Sequence, residues 1–119
     1  MIKHIAFTMY PVKNMARARK FYEKGLGLKP TKNFGAGKWI EYHVKNGAFV
    51  ITTMTPIEPS AKAGGSVAFE VNDVDAALKK LKAVKAVVKV PPFDTPVCRM
   101  AYVLDSEGNA LGVHAKKKA

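Results

Sequence analysis

Cysteine is nearly absent from this chain: Cys98 stands alone among 119 residues, which excludes an internal disulfide. Histidine is scarce as well. His4, His43 and His114 lie far apart and no Cys-x-x-Cys pair occurs, so neither a zinc finger nor a zinc ribbon fits and no structural metal is expected. No stretch approaches the roughly 20 apolar residues of a membrane span, and the chain opens on strand-like sequence without an apolar leader. The expectation is a cytoplasmic protein with no membrane partner. Negative charge is the remaining deficit: 9 Asp and Glu against 20 Lys and Arg leave a net charge of +11. That excess favours anionic partners and is silent about fold.

What the chain does have is a globular balance, 48% hydrophobic and 24% charged, which suits a single domain over residues 1–119. At this length roughly two thirds of the unfolded surface is removed on folding, so the core needs no covalent support.

The order of elements is read twice. Residues 2–10 are rich in β-branched and aromatic types and predict a strand, ended by Pro11 and the Lys13-Asn14 pair. Asn14 caps a helix whose stripe is Met15, Ala18, Phe21 and Tyr22, with Gly25 as its stop. Strands follow near 28–33, 37–45 and 48–54, the last two joined through Asn46-Gly47, a pair that tolerates positive φ. Module one, about 1–54, is thus βαβββ. A Pro- and Gly-rich linker, about 55–65, leads to module two, about 66–119. There a strand at 66–71 precedes the Asp73 cap and a helix striped by Val74, Ala77, Leu78, Leu81 and Val84, with Lys79, Lys80 and Lys82 solvated. Strands near 86–90, 98–105 and 110–116 complete the copy, the last turn being 105–109. A shift of 59 residues sets Tyr10 on Phe69, Val12 on Val71, Asn14 on Asp73 and Ala18 on Ala77. Each half is too small to bury its own sheet face, so two modules are expected to share one core, with a cavity where they meet.

Three segments carry a family likeness: Pro11-Val-Lys-Asn-Met-Ala-Arg-Ala18 running into Phe21-Tyr-Glu-Lys-Gly-Leu-Gly-Leu28, then Val67-Ala-Phe-Glu-Val-Asn-Asp-Val-Asp-Ala-Ala77, then Asp105-Ser-Glu-Gly-Asn-Ala-Leu111. Together they resemble the vicinal oxygen chelate superfamily of glyoxalase I, fosfomycin-resistance enzymes, bleomycin-resistance proteins and extradiol dioxygenases. The resemblance covers nearly the whole chain. It implies an α+β fold, two βαβββ modules forming a curled mixed-sheet cup (the glyoxalase/bleomycin-resistance/dioxygenase fold). It also implies frequent pairing into homodimers, sometimes with modules exchanged so that one cup takes a module from each chain. Metal-dependent members place His, Glu or His, His and Glu on the first, fourth, fifth and eighth strands. Carried over, those positions become Phe7, Val50 (to within about two residues), Ser66 and Gly112. This is no divalent-metal ligand set, so no metal or other cofactor is expected, and with it no metal-dependent glyoxalase or dioxygenase chemistry.

Other residues then carry any site. Trp39, Glu41 and His43 share parity on one strand, and Glu41 with His43 is the candidate acid/base pair. Glu70 shares parity with Ser66 and could meet a cationic group or Arg99; His114 shares parity with Gly112. The candidate ligand-binding set is Phe7, Met9, Trp39, Glu41, His43, Val50, Ser66, Glu70, Arg99, Gly112 and His114. Phe7, Met9, Trp39, Val50, Met54 and Met100 either line an open cup suited to a flat organic ligand or plug it. Cys98 next to Arg99 reads as a buried, inert thiol.

Three function classes follow. The first is a metal-independent binder of a small molecule, anionic or neutral and aromatic, because a +11 chain suits a cationic drug poorly. The second is a lyase or oxygenase of the same superfamily, with a metal on displaced donors Glu41, His43, Glu70 and His114 or with acid/base residues alone. The third is nucleic-acid binding, suggested by the helix lysines and the basic tail. No RNP, helix-turn-helix or Gly-x-x-Gly signature accompanies those lysines, which follow the usual solvated pattern.

Overall fold

A computed structural model describes Met1 and residues 5–117. Its eight strands form two four-stranded sheets with the same order, β1-β4-β3-β2 and β5-β8-β7-β6. In the first, β1 (Thr8–Pro11) runs parallel to β4 (Gly47–Thr52), and β3 (Trp39–Val44) and β2 (Pro30–Phe34) add antiparallel. In the second, β5 (Val67–Glu70) runs parallel to β8 (Ala110–Lys116), followed by antiparallel β7 (Cys98–Leu104) and β6 (Val87–Asp94). The repeat extends to register and caps. Thr8 lies opposite Phe49 as Val67 lies opposite Leu111, and the Asn14 and Asp73 side chains each accept the amide three residues on.

Local details depart from the sequence reading. Of the strand expected at 2–10, residues 2–4 lie outside the described residues, and Pro11 ends β1 from within it. The first helix begins as α1 (Met15–Arg19) and widens into a π-helical segment, Lys20–Gly25. Gly25 is its last residue, and Gly27, with φ 74°, makes the left-handed exit. The reason for Gly25 is packing: a Cβ there would stand 2.9 Å from Val84 Cγ2 on the neighbouring helix. At the β3–β4 hairpin Val44 pairs with Gly47, so Lys45 and Asn46 are the turn residues, and neither Asn46 nor Gly47 uses a positive φ. The Pro91-Pro92-Phe93 stretch belongs to β6. As an edge strand with two register shifts, it tolerates residues that donate nothing to a ladder.

Alternation gives each sheet two faces. The inward set is Tyr10, Ile40, Tyr42, Phe49 and Ile51 in one module and Val67, Phe69, Ala101, Val103, Leu111 and Val113 in the other. With Ala18, Phe21 and Tyr22, and with Val74, Leu78 and Leu81 of α2 (Val74–Ala83), they make one core spanning both modules. Each fully buried large side chain contributes about 1.5–3 kcal/mol. The Phe49 and Phe69 rings meet edge-on across the junction at 5.2 Å.

Polar groups clamp the same junction. The Tyr10 hydroxyl donates to the Ala110 carbonyl and accepts from the Val67 amide, and the Tyr22 hydroxyl donates to buried Asp105 at 2.6 Å. Asn109 Nδ2 donates to the Pro11 carbonyl, and the Asn109 side-chain oxygen accepts the Ser60 amide. Glu107, its side chain wholly buried, accepts the amides of Lys13 and Asn14 and both Nε and a terminal nitrogen of Arg17. The turn of module two thereby caps the helix of module one.

With the inward faces committed to this core, the opposite faces of both sheets point away from it. The two sheets remain separate layers, and the expected cup is not closed within one chain. No described helix is long and apolar enough to cross a membrane.

Candidate functional site

The outward face of module one carries Met9, Val50, Thr52, Trp39, Glu41 and His43, as the pairings Met9 to Val50, Glu41 to Val50 and His43 to Ala48 require. Phe7, one step before β1, keeps the parity of Met9 and sets its ring edge-on to Trp39 at 5.5 Å. Phe34, opposite Trp39 on β2, extends this surface. Phe7 is 45% exposed, whereas Val50 beneath this surface is fully buried. The expected Glu41–His43 pair is not made. Trp39 Nε1 donates to Glu41 Oε2 at 2.9 Å, which commits the carboxylate to the indole and leaves His43 exposed beside it. Met54 lies beyond the strand and packs on the Gly35 turn.

Module two presents Ser66, Ala68, Glu70, Gly112, His114, Met100 and Tyr102 on its outward face. A Cβ at Gly112 would come within 3.4 Å of Ala68, Met100 and Tyr102, so these three side chains close over the glycine as a floor. Arg99 does not join the set. Its parity is that of Ala101 and Val103, and its guanidinium pairs with Asp75 of α2 and with Asp94. The partner of Glu70 is instead His114, with Nδ1 and Oε1 2.6 Å apart, while the other carboxylate oxygen accepts the Lys116 amide at 2.8 Å. That amide, followed by the imidazole, holds the Glu70 carboxyl below its ordinary range. Cys98 is buried against Thr95, 3.2 Å from its hydroxyl. Tyr102 escaped the sequence reading, although its alternation with Cys98 and Met100 carries the signal.

Two clefts accompany these faces. One of about 420 Å³ lies on the outward side of module two, between Ser60–Gly65 of the linker and Ser66, Val90, Tyr102 and Ala110. The other, about 500 Å³, follows β5 at the module junction and is walled by Leu26, Leu28, Phe49 and Phe69.

Phe7, Val50, Ser66 and Gly112, the positions onto which the resemblance carries the superfamily's metal ligands, offer one hydroxyl between them. Among the described residues no group of three His, Cys, Asp or Glu side chains converges. The donor set does not fit a divalent transition metal, which requires several imidazole or carboxylate ligands at once.

Sequence and structure comparisons agree with this architecture. Residues 2–113 match the model of the Glyoxalase/Bleomycin resistance protein/Dioxygenase superfamily. The chain belongs to that superfamily. It is 27% identical over 117 residues to an uncharacterized protein of Mycolicibacterium smegmatis, covering 96% of this chain and 95% of that one. Among solved structures, it resembles TnmS3, an antibiotic binding protein from Streptomyces sp. CB03234, with a TM-score of 0.80, 25% identity and 98% of both chains covered. A glyoxalase-related enzyme from Fulvimarina pelagi superposes with a TM-score of 0.81 over 96% of this chain and 88% of its own, at 16% identity, and so shares the fold.

Proposed function

We propose that this protein binds a small organic molecule, aromatic and either neutral or anionic, without a catalytic metal, in a cup completed by a second copy of the chain. The observation that carries the reading is the outward surface. The residues onto which the resemblance carries the superfamily's metal ligands, Phe7, Val50, Ser66 and Gly112, share these outward faces with Met9, Trp39, Met100 and Tyr102. Rings and thioethers suit a flat, partly apolar guest. The likeness to an antibiotic binding protein supports the same class.

Pairing follows from exposure. Phe7, Phe34, Val90 and Phe93 are each at least 37% exposed on sheet faces that the single chain leaves uncovered, and such surface favours association. Setting module one of one copy against module two of the other encloses both outward faces. A cytoplasmic location accords with the lone buried thiol.

The charge distribution favours an uncharged or anionic guest. All three arginines are tied to carboxylates, Arg17 to Glu107, Arg19 to Glu23 and Arg99 to Asp75 and Asp94. The surplus positive charge therefore rides on lysines, which raise the potential around the whole molecule.

A thermal-shift screen of chelator-treated protein against aromatic acids, neutral aromatics and cationic drugs tests this reading, followed by calorimetry and mass measurement of any hit. A dimer that binds the neutral or anionic members is expected, with unfolding raised by mass action. A stoichiometric transition metal in protein purified without chelator, or a monomer that shifts with none of them, contradicts it.

A further inference from the structure

Short bonds anchor the linker turn beside module two. Ser60 Oγ accepts the amides of Lys62 and Ala63, and the Ser60 amide donates to the Asn109 side-chain oxygen. Between this turn and the sheet lies the cleft of about 420 Å³, a size suited to a small organic ligand. Its linker side is built from small residues, Ala61, Ala63, Gly64 and Gly65, which leave the space open, and its sheet side carries Lys89, Val90 and Tyr102.

Lys89 owes its place there to a break in the ladder. In a regular strand Lys89 and Val90 would point to opposite faces, yet both line this cleft. The pairing shifts between Val88, opposite Val103, and Val90, opposite Tyr102, so that Lys89 is the extra residue and joins Val90 on the side of Tyr102. Among the described residues Lys89 is the only charged one that lines the cleft, and no ion pair includes it. The cleft thus holds one positive charge with no carboxylate of its own beside an aromatic ring.

We infer that this cleft takes a small aromatic carboxylate, with the carboxylate on the Lys89 ammonium and the ring against Tyr102, and that Lys89 is the residue selecting the charge of the guest. The inference rests on the reading of the outward face as an aromatic-binding surface and adds the charged group of the ligand. A compact ammonium matches a single carboxylate, and a cationic guest meets repulsion at the same point.

The test titrates 2-naphthoate and its neutral counterpart 2-naphthamide into the full-length protein by calorimetry. Wild type should prefer the naphthoate. Lys89→Gln should weaken naphthoate about tenfold, as expected for loss of a charge-assisted hydrogen bond, and leave naphthamide affinity unchanged, which also shows that the variant is folded. Lys89→Arg should keep the preference. Lys79→Gln removes the same charge from the exposed face of α2 and should leave both affinities as they are. Equal loss of naphthoate binding in the Lys79 and Lys89 variants would trace the preference to overall charge and overturn the inference, with the aromatic reading intact. Amide spectra of the saturated protein should shift most at Gly64, Gly65 and Val90; shifts centred on Phe49 and Phe69, at the junction cleft, would overturn it too. Failure of both probes to bind wild type would also overturn it, and the aromatic reading falls with it only when the wider set of aromatic compounds leaves the unfolding temperature unmoved.

Discussion

Glu107 shows how much one side chain can decide. Burial pushes its carboxyl up, but Arg17, then the amides of Asn14 and Lys13 and the Ser106 hydroxyl, outweigh that and bring it down to about 2 from an ordinary 4.5. Its contribution to stability is therefore complete above pH 4.5 and lost as the pH falls toward 2. Acid unfolding followed by circular dichroism should show wild type losing stability across that window, and Glu107→Gln losing less there while starting from a lower midpoint at neutral pH. Identical acid profiles would contradict the clamp. Single residues were the least legible level of the sequence. Alternation placed Glu41, His43, Glu70 and His114 on strand faces correctly, but partner choice depends on distances across strands. Glu41 turned to Trp39, two positions along its own strand, and Glu70 to His114, 44 positions away. Arg99 lay on the other face, toward Asp75.

At the scale of elements, both helix caps were readable because capping is local. Asn14 and Asp73 each bond the amide three residues on. Removing the cap in Asp73→Ala should cost about 1 kcal/mol in chemical denaturation. Gly25 was read as a stop for the wrong reason, since its use is close approach to Leu81 and Val84, which only the folded pair reveals. Gly25→Ala should destabilise by about 1–3 kcal/mol through overpacking, and Val84→Ala in the same background should recover part of it. No recovery would show that the glycine answers to something else. Turn chemistry and edge position explain the remaining departures. The hairpin closes through Lys45-Asn46 without positive φ, and β6 continues through two prolines because its outer edge has no ladder to supply.

At the scale of the molecule, the duplicated βαβββ order was legible because it is a pattern of periodicities, and a pattern survives where identities do not. Which faces meet was not legible. Both faces of each sheet carry apolar residues, and only the joining of Tyr10, Tyr22, Phe49, Asp105 and Glu107 across the junction shows which face went inward. The outward faces then become the surface on which the functional reading depends. Trp39 is the only tryptophan and stands on that surface against Phe7, so its emission reports the proposed site directly. The decisive measurement is Trp39 fluorescence in chelator-treated protein titrated with an aromatic ligand found by thermal shift. A saturable change with one ligand per cup, independent of added divalent metal, is predicted. An emission that does not respond to a ligand bound by calorimetry, or that responds only after metal is restored, would contradict the account.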